Sequence, residues 1–314
     1  MRFFMSMILT SVVSLSVQAQ TVNDGSSLLN KSVEVTGFGQ IRYREPLVTS
    51  KSGFPILLVH GVYGGASHRA WRELLPLLDQ AGEAVYIVDL PGVGESDRPK
   101  RAYAIQDLDL FLERFLDEVV KSRTTVVTES ITSANGLRVA SLRPDLVRRL
   151  IMLSPTGVNS LNVPPSTREQ KLYDRLYNDE AGSIGFYQNL LNDNSLQFFL
   201  KFAFFDDSKV NEGLLNDYRV ARPNLEQRWL TLSFVGGQLW RPFKESSEKV
   251  FVPTLAIFGA EYEPFADNQP SKASDFQAIR PEFEYLEIPG SGSSAQREKP
   301  EAVAKAITEF ATVD

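Results

Sequence analysis

The sequence predicts an α/β fold with a mostly parallel central sheet, helices on both faces and one inserted block of helices. Three observations predict it. Short continuous apolar runs recur at Ile56-Leu57-Leu58-Val59, Val85-Tyr86-Ile87-Val88, Thr125-Val126-Val127 and Leu150-Ile151-Met152-Leu153, each fitting a strand buried on both faces. Helical spacing separates these runs, over Trp71 to Leu78, Leu108 to Val120 and Gly136 to Val147. That succession means parallel pairing through right-handed crossovers. Near Val158 the alternation gives way to aromatic-rich helical segments, and it resumes at Thr254-Leu255-Ala256-Ile257-Phe258.

Taken in order, Arg2 precedes the apolar, small-residue run Phe3 to Val17, and Val17-Gln18-Ala19 offers the small residues that a signal peptidase reads. Residues 1–19 are expected to be a cleaved signal, which makes the mature protein periplasmic or secreted. The run is short of the ~20 apolar residues a span needs, and Ser6, Ser11, Ser14 and Ser16 interrupt it, so no stable membrane span is expected after cleavage. Val33-Glu34-Val35 and Ile41-Arg42-Tyr43, parted by Gly37 and Gly39, predict an entry hairpin. The first part of the core then extends over 20–157.

Residues 158–248 form the insertion, entered through Pro164-Pro165. Its aromatics Phe186, Tyr187, Phe198, Phe199, Phe202, Phe204, Phe205, Trp229, Phe234 and Trp240 are expected mostly to pack its own interior. The remainder would line an apolar pocket beneath a helical lid. The second part of the core, 249–314, holds the strand from Thr254, a strand over Phe283 to Ile288 and a closing helix over Pro300 to Phe310.

Composition narrows the function classes. A chain of 314 residues, 43% of them hydrophobic, suits one large core with a subdomain. The net charge of −6 and the absence of any Lys/Arg stripe argue against nucleic acid and anionic membranes, leaving a small molecule as the expected partner. With no cysteine there is no disulfide framework and no lipidated cysteine. Two histidines, His60 and His68, leave mainly carboxylates for a metal site, so neither a metal nor another cofactor is expected.

The loops after the strands carry the chemistry. His60-Gly61-Val62-Tyr63-Gly64-Gly65 follows the first buried strand, where a glycine turn can aim backbone N–H groups at a developing oxyanion; Val62 is the expected donor. His60 is expected to brace this loop, and His68, at the start of a helix, to serve at the surface or as a cap. Asp89-Leu90-Pro91-Gly92-Val93-Gly94-Glu95-Ser96 reads as loop architecture. Thr128-Glu129-Ser130-Ile131-Thr132 passes from strand to helix, holding Ser130 at a sharp turn with Ile131 N–H as a second donor. Threonines occupy the small positions that glycines fill in G-x-S-x-G, and β-branched residues crowd such a turn. Glu129 reads either as a solvated side chain or as a modifier of the site's electrostatics.

Together these loops resemble the α/β-hydrolase family, over roughly Phe54 to Thr312. Arg143-Pro144-Asp145-Leu146-Val147-Arg148-Arg149-Leu150 leading to Ser154-Pro155, and Pro253-Thr254-Leu255, extend the resemblance. It implies an eight-stranded sheet, a lid and a triad in the order nucleophile, acid, base. Ser130 would be the nucleophile. The acid would lie after Phe258-Gly259, where the chain offers Glu261 and, before Pro264, the preferred Glu263. The base would lie in Ile288-Pro289-Gly290-Ser291-Gly292-Ser293-Ser294, where the family places histidine and this chain has Ser293.

A serine hydroxyl needs a base within hydrogen-bond reach. Three readings remain: a hydrolase of ester-like or small apolar substrates with a substitute base (Glu263, Glu261 or His68), a lyase or isomerase using the same pocket, or a ligand-binding pseudoenzyme. An imidazole restored by Ser293→His is expected to raise ester hydrolysis about a hundredfold if the rest of the frame is intact.

Overall fold

The computed structural model describes residues 27–49, 53–159, 161–262 and 272–312. The expected signal sequence and Glu263 lie outside them. Eight strands form one sheet in the order β1-β2-β4-β3-β5-β6-β7-β8. The entry hairpin of β1 (Lys31–Val35) and β2 (Gly39–Arg44) is antiparallel, and β2 pairs antiparallel with β4 (Val85–Val88). From β4 onward the pairing is parallel, through β3 (Ile56–Val59), β5 (Thr124–Glu129), β6 (Val147–Leu153), β7 (Thr254–Gly259) and β8 (Glu284–Ile288).

Strand alternation explains the two apolar layers. Leu57, Val59, Val126, Leu150 and Met152 face one cluster, with Phe111, Phe115 and Leu137 from the crossover helices. Ile56, Leu58, Val127, Ile151 and Leu153 face the other, with Trp71, Leu78, Val303 and Ile307. A strand covered on both faces is apolar along most of its length, which is why these runs are nearly continuous; the buried polar residues of β5, Thr124, Thr125, Thr128 and Glu129, lie towards its ends.

The helices follow the periodic segments with local corrections. The Trp71 to Leu78 pattern divides into a 3-10 turn at His68–Trp71 and α1 (Leu75–Ala81), with Pro76 in the first turn of α1. Helix α2 (Ile105–Arg114) continues as a π-helical segment to Val120. Helix α3 (Ser133–Leu142) ends earlier than the expected Val147, and β6 begins at Val147 instead. Pro144 is the reason: the residue before a proline is pushed out of helical geometry, and Arg143 sits at φ −128°, ψ 61°.

Between β6 and β7 the insertion is helical: α4 (Thr167–Asn178), α5 (Glu180–Leu190), α6 (Asp193–Ala203), α7 (Glu212–Arg219), α8 (Arg228–Val235) and α9 (Phe243–Ser247). Of its aromatics, Tyr173, Tyr187, Phe204, Tyr218, Trp229 and Phe243 are buried, Phe202 and Phe205 are exposed and the rest are half-buried. Asp217 on α7 anchors it to the core, receiving Arg297 at 3.1 Å and Arg72 at 2.6 Å. Past β7 come α10 (Ala273–Gln277), α11 (Ala295–Glu298) and α12 (Pro300–Thr312). Among the described residues no helix is long and apolar enough to cross a membrane.

Candidate active site

β3 and β5 are parallel neighbours with Val59 opposite Thr128, so the His60–Gly65 loop and the Ser130 turn leave the sheet side by side. Ser130 opens a single 3-10 turn, Ser130–Thr132, between β5 and α3. Its φ of 54° is left-handed, a conformation costing a non-glycine residue about 1–3 kcal/mol unless its surroundings enforce it.

The enforcing contacts come from the two threonines. Thr132 Oγ1 donates to the Glu129 carbonyl (2.8 Å) and accepts from the Glu129 N–H (3.2 Å), closing the turn. Thr128 Oγ1 donates to the Ile151 carbonyl at 3.3 Å. Room for the Thr128 methyl comes from Gly136, where a Cβ would lie 2.9 Å from Thr128 Cγ2 and 2.8 Å from Leu150 Cδ1. The small residue that strand-to-helix packing requires has moved from beside the serine to one turn inside α3.

Glu129 is buried, which settles the choice the sequence left open. Its Oε2 accepts the Gly61 N–H at 2.8 Å, and its Oε1 accepts Gln296 Nε2 at 2.8 Å. Tyr63 Oη lies 3.5 Å from Oε2. Burial, and secondarily the Glu129 charge, push the Tyr63 phenol well above its ordinary range, so it remains a neutral donor. One carboxylate thus joins the His60–Gly65 loop, the serine turn and α11. Val62 and Ile131, the expected donors, are both buried. A Cβ at Gly61 would lie 3.2 Å from Tyr63 Cε1 and 3.3 Å from the Glu129 carbonyl, a tight fit on both sides.

His60 braces its loop as expected. Its Nδ1 donates to the Gly61 carbonyl (2.7 Å) and its Nε2 lies 3.2 Å from the Leu90 N–H. Both nitrogens are occupied. His68 departs from expectation: it is buried, the cap belongs to Ser67, and Nδ1 of His68 is held 2.9 Å from Asp89 Oδ2. Asp89 is the architectural residue of its loop, accepting the N–H groups of His68 (2.6 Å) and Glu95 (2.7 Å).

The loop after β8 carries no imidazole. Ser293 Oγ donates to the Ala203 carbonyl at the end of α6 (3.2 Å), and Ser294 N–H donates to the same oxygen (3.2 Å). The Ser293 carbonyl accepts Ser154 Oγ at 2.8 Å. Buried Glu298 completes the joint: Oε1 accepts the N–H groups of Phe205 and Asp206, each at 2.9 Å, and Oε2 accepts Gly292 N–H at 2.6 Å. At the foot of the loop, Glu261 Oε2 accepts Gly290 N–H (2.8 Å) and Ser291 N–H (3.1 Å). Glu261 therefore makes the loop contact expected of Glu263.

Gln296 and Glu298 were absent from the sequence-based site. Both follow the last glycine turn within a short polar stretch, and nothing in their spacing distinguishes buried partners from solvated ones.

The family model for the alpha/beta hydrolase fold matches residues 55–300. Among curated proteins, the chain is 26% identical to a 2-hydroxy-6-oxo-6-(2'-aminophenyl)hexa-2,4-dienoic acid hydrolase of Metapseudomonas resinovorans, over 90% of this chain and 96% of the relative. It is 31% identical to a haloalkane dehalogenase of Agrobacterium fabrum over less than half of each, 45% and 46%. Among solved structures, an enol-lactonase from Burkholderia xenovorans superimposes with a TM-score of 0.68 at 17% identity, covering 90% of this chain and all of that one.

Proposed function

The chain belongs to the α/β-hydrolase family, and on that premise we propose that it is a hydrolase of a small, ester-like or otherwise carbonyl-bearing apolar substrate, attacked by Ser130. The observation that carries this reading is the left-handed Ser130 at the strand-to-helix turn, held there by Thr132 and by the Thr128–Gly136 contact beside the oxyanion loop. A strained conformation so closely enforced is retained where a side chain must be presented to a reactant. The named relatives act on small molecules, a dienoic acid and haloalkanes by their names, which supports a small substrate. The helical insertion serves in this reading as the lid.

General-base assistance contributes about a hundredfold or more, so native turnover without an imidazole is weak. Against a panel of activated esters, Ser130→Ala should remove the native turnover altogether. Activity unchanged by Ser130→Ala would rule out serine attack and favour a lyase or isomerase. Ser293→His should raise turnover by less than the hundredfold its chemistry allows, because Ser293 Oγ is bonded to the Ala203 carbonyl and a larger ring must displace the end of α6.

A second reading, a ligand-binding pseudoenzyme, is favoured by that same bond: the residue at the base position serves a structural joint. Retained ligand binding with no turnover in the native chain or in Ser293→His would establish it. We further propose export of the chain after cleavage near Ala19; an intact mass that still includes Met1 to Ala19 would refute this.

A further inference from the structure

Glu129 buries a carboxylate immediately before Ser130 in the chain, while Ser130 itself is only half-buried. The same carboxylate accepts the N–H of Gly61, the neighbour of Val62. We propose that Glu129 is a specificity-determining residue of the Ser130 site, selecting ligands that carry an ammonium group over ligands of the same size that carry a carboxylate; this rests on Ser130 being the reacting group of the proposed hydrolase.

The way the carboxylate is held carries the argument. Its polar neighbours are all neutral: the Gly61 N–H at 2.8 Å, Gln296 Nε2 at 2.8 Å and Tyr63 Oη at 3.5 Å. Burial, with the Glu129 charge second, raises the Tyr63 phenol well above its ordinary range and keeps it neutral. Among the described residues Glu129 has no ion pair. Gln296 shows that it serves as an acceptor, because the amide turns its nitrogen to Glu129 and leaves its own oxygen buried without a hydrogen-bond partner.

The cations of this region gather elsewhere. From Glu129 the contacts run to Tyr63, then to the Tyr218 ring at 5.9 Å between centroids, and then to the Arg297 guanidinium, 5.7 Å from that ring. Arg297 is held by Asp217 at 3.1 Å, and Arg72 and Arg69 stand 2.6 and 3.8 Å from the same side chain. Their charge is centred on Asp217, two rings away from Glu129.

Hydrogen bonds from neutral donors stabilise a buried charge without cancelling its field. At an effective dielectric of about 20, a unit charge several ångströms from a charged ligand changes its affinity about tenfold or more. Glu129 acts through space, with its oxygens remaining on Gly61 and Gln296. An ammonium beside Ser130 also offsets the penalty that Glu129 places on negative charge developing there.

The test titrates the full chain with two non-hydrolysable probes of matched length, butylammonium and butyrate, and reads affinity from the amide NMR shifts of Val62, Ser130 and Ile131. Butylammonium should bind at least tenfold tighter than butyrate. In Glu129→Gln the preference should fall to within threefold of unity. That variant keeps the joint, since its oxygen can accept from Gly61 and its amide can donate to Gln296 Oε1 once the Gln296 amide turns over. Should it fail to fold, the native chain still tests the proposal through salt: a buried charge is screened little, so the preference should persist from about 0.05 to 0.5 M NaCl, whereas one set by surface carboxylates should fade. The proposal is overturned by equal affinities, by tighter binding of butyrate, by no binding of butylammonium, by loss of the preference in salt, or by an unchanged preference in Glu129→Gln. None of these outcomes requires turnover. Ser130-dependent ester hydrolysis without a charge preference would overturn this inference and leave the proposed function standing, whereas a Glu129-dependent preference with no turnover would do the reverse.

Discussion

The turn at Ser130 and the loop at Ser293 both depart from the family's sequence pattern, and the structure treats the two departures in opposite ways. At Ser130 the missing glycines are compensated: threonine hydroxyls close the turn, and Gly136 supplies the clearance the flanking positions no longer give. The left-handed strand-to-helix turn at Ser130 forms with threonines at the flanking positions. At Ser293 the hydroxyl is spent on a structural bond, and this loop and the Glu298 that follows it are bonded to the insertion through Ala203, Phe205 and Asp206. Backbone geometry can be rebuilt from several side-chain sets, because it needs only shape and hydrogen bonds. A proton acceptor tuned near neutral pH cannot be rebuilt from a hydroxyl.

Three substitutions sharpen this contrast, in descending order of expected effect. Glu298→Gln puts an amide donor among three N–H donors in a buried joint and should cost about 2–4 kcal/mol of stability, since charge-assisted bonds are lost and a donor is left facing donors. Urea unfolding should show the loss, with faster hydrogen exchange at Phe205, Asp206 and Gly292. A loss no larger than a surface substitution would mean that the insertion is held by other contacts, such as Asp217.

Gly136→Ala should cost about 1–3 kcal/mol by overpacking against Thr128 and Leu150. Thr128→Ser, which removes the methyl but keeps the hydroxyl, should recover a good part of that cost in the double mutant. Additive losses in that cycle would break the compensation argument.

Ser130→Gly should act with the opposite sign. Glycine adopts the left-handed turn without the Cβ penalty, so stability should rise by about 1 kcal/mol while any Ser130-dependent turnover is lost. Thermal melts of Ser130→Gly beside Ser130→Ala separate relief of strain from removal of the hydroxyl, because alanine keeps the strain.

Most of the sheet was legible in the sequence, because strands covered on both faces favour near-continuous apolar runs and Ile56 to Val59 or Val85 to Val88 has few other uses. Helix ends were less legible. The Gly136 pattern extends past Leu142 in hydrophobic spacing, and only the backbone constraint before Pro144 stops it. In the site, what loop order alone fixes was readable: Ser130 at the strand-to-helix turn and the bracing role of His60. Positions fixed by long-range partners were not. Glu129, Gln296 and Glu298 look like any polar residues until the fold brings them to Gly61, to one another's loops and to the end of α6. The burial of His68 is hidden for the same reason, since its partner Asp89 lies 21 residues away in the loop after β4.

The Ala203 carbonyl receives both Ser293 Oγ and Ser294 N–H, and Gly292 lies so close that a Cβ there would sit 2.5 Å from the same oxygen. The loop after β8 and the end of α6 therefore behave as one packed unit, and any side chain larger than serine at position 293 has to share its space with a helix terminus.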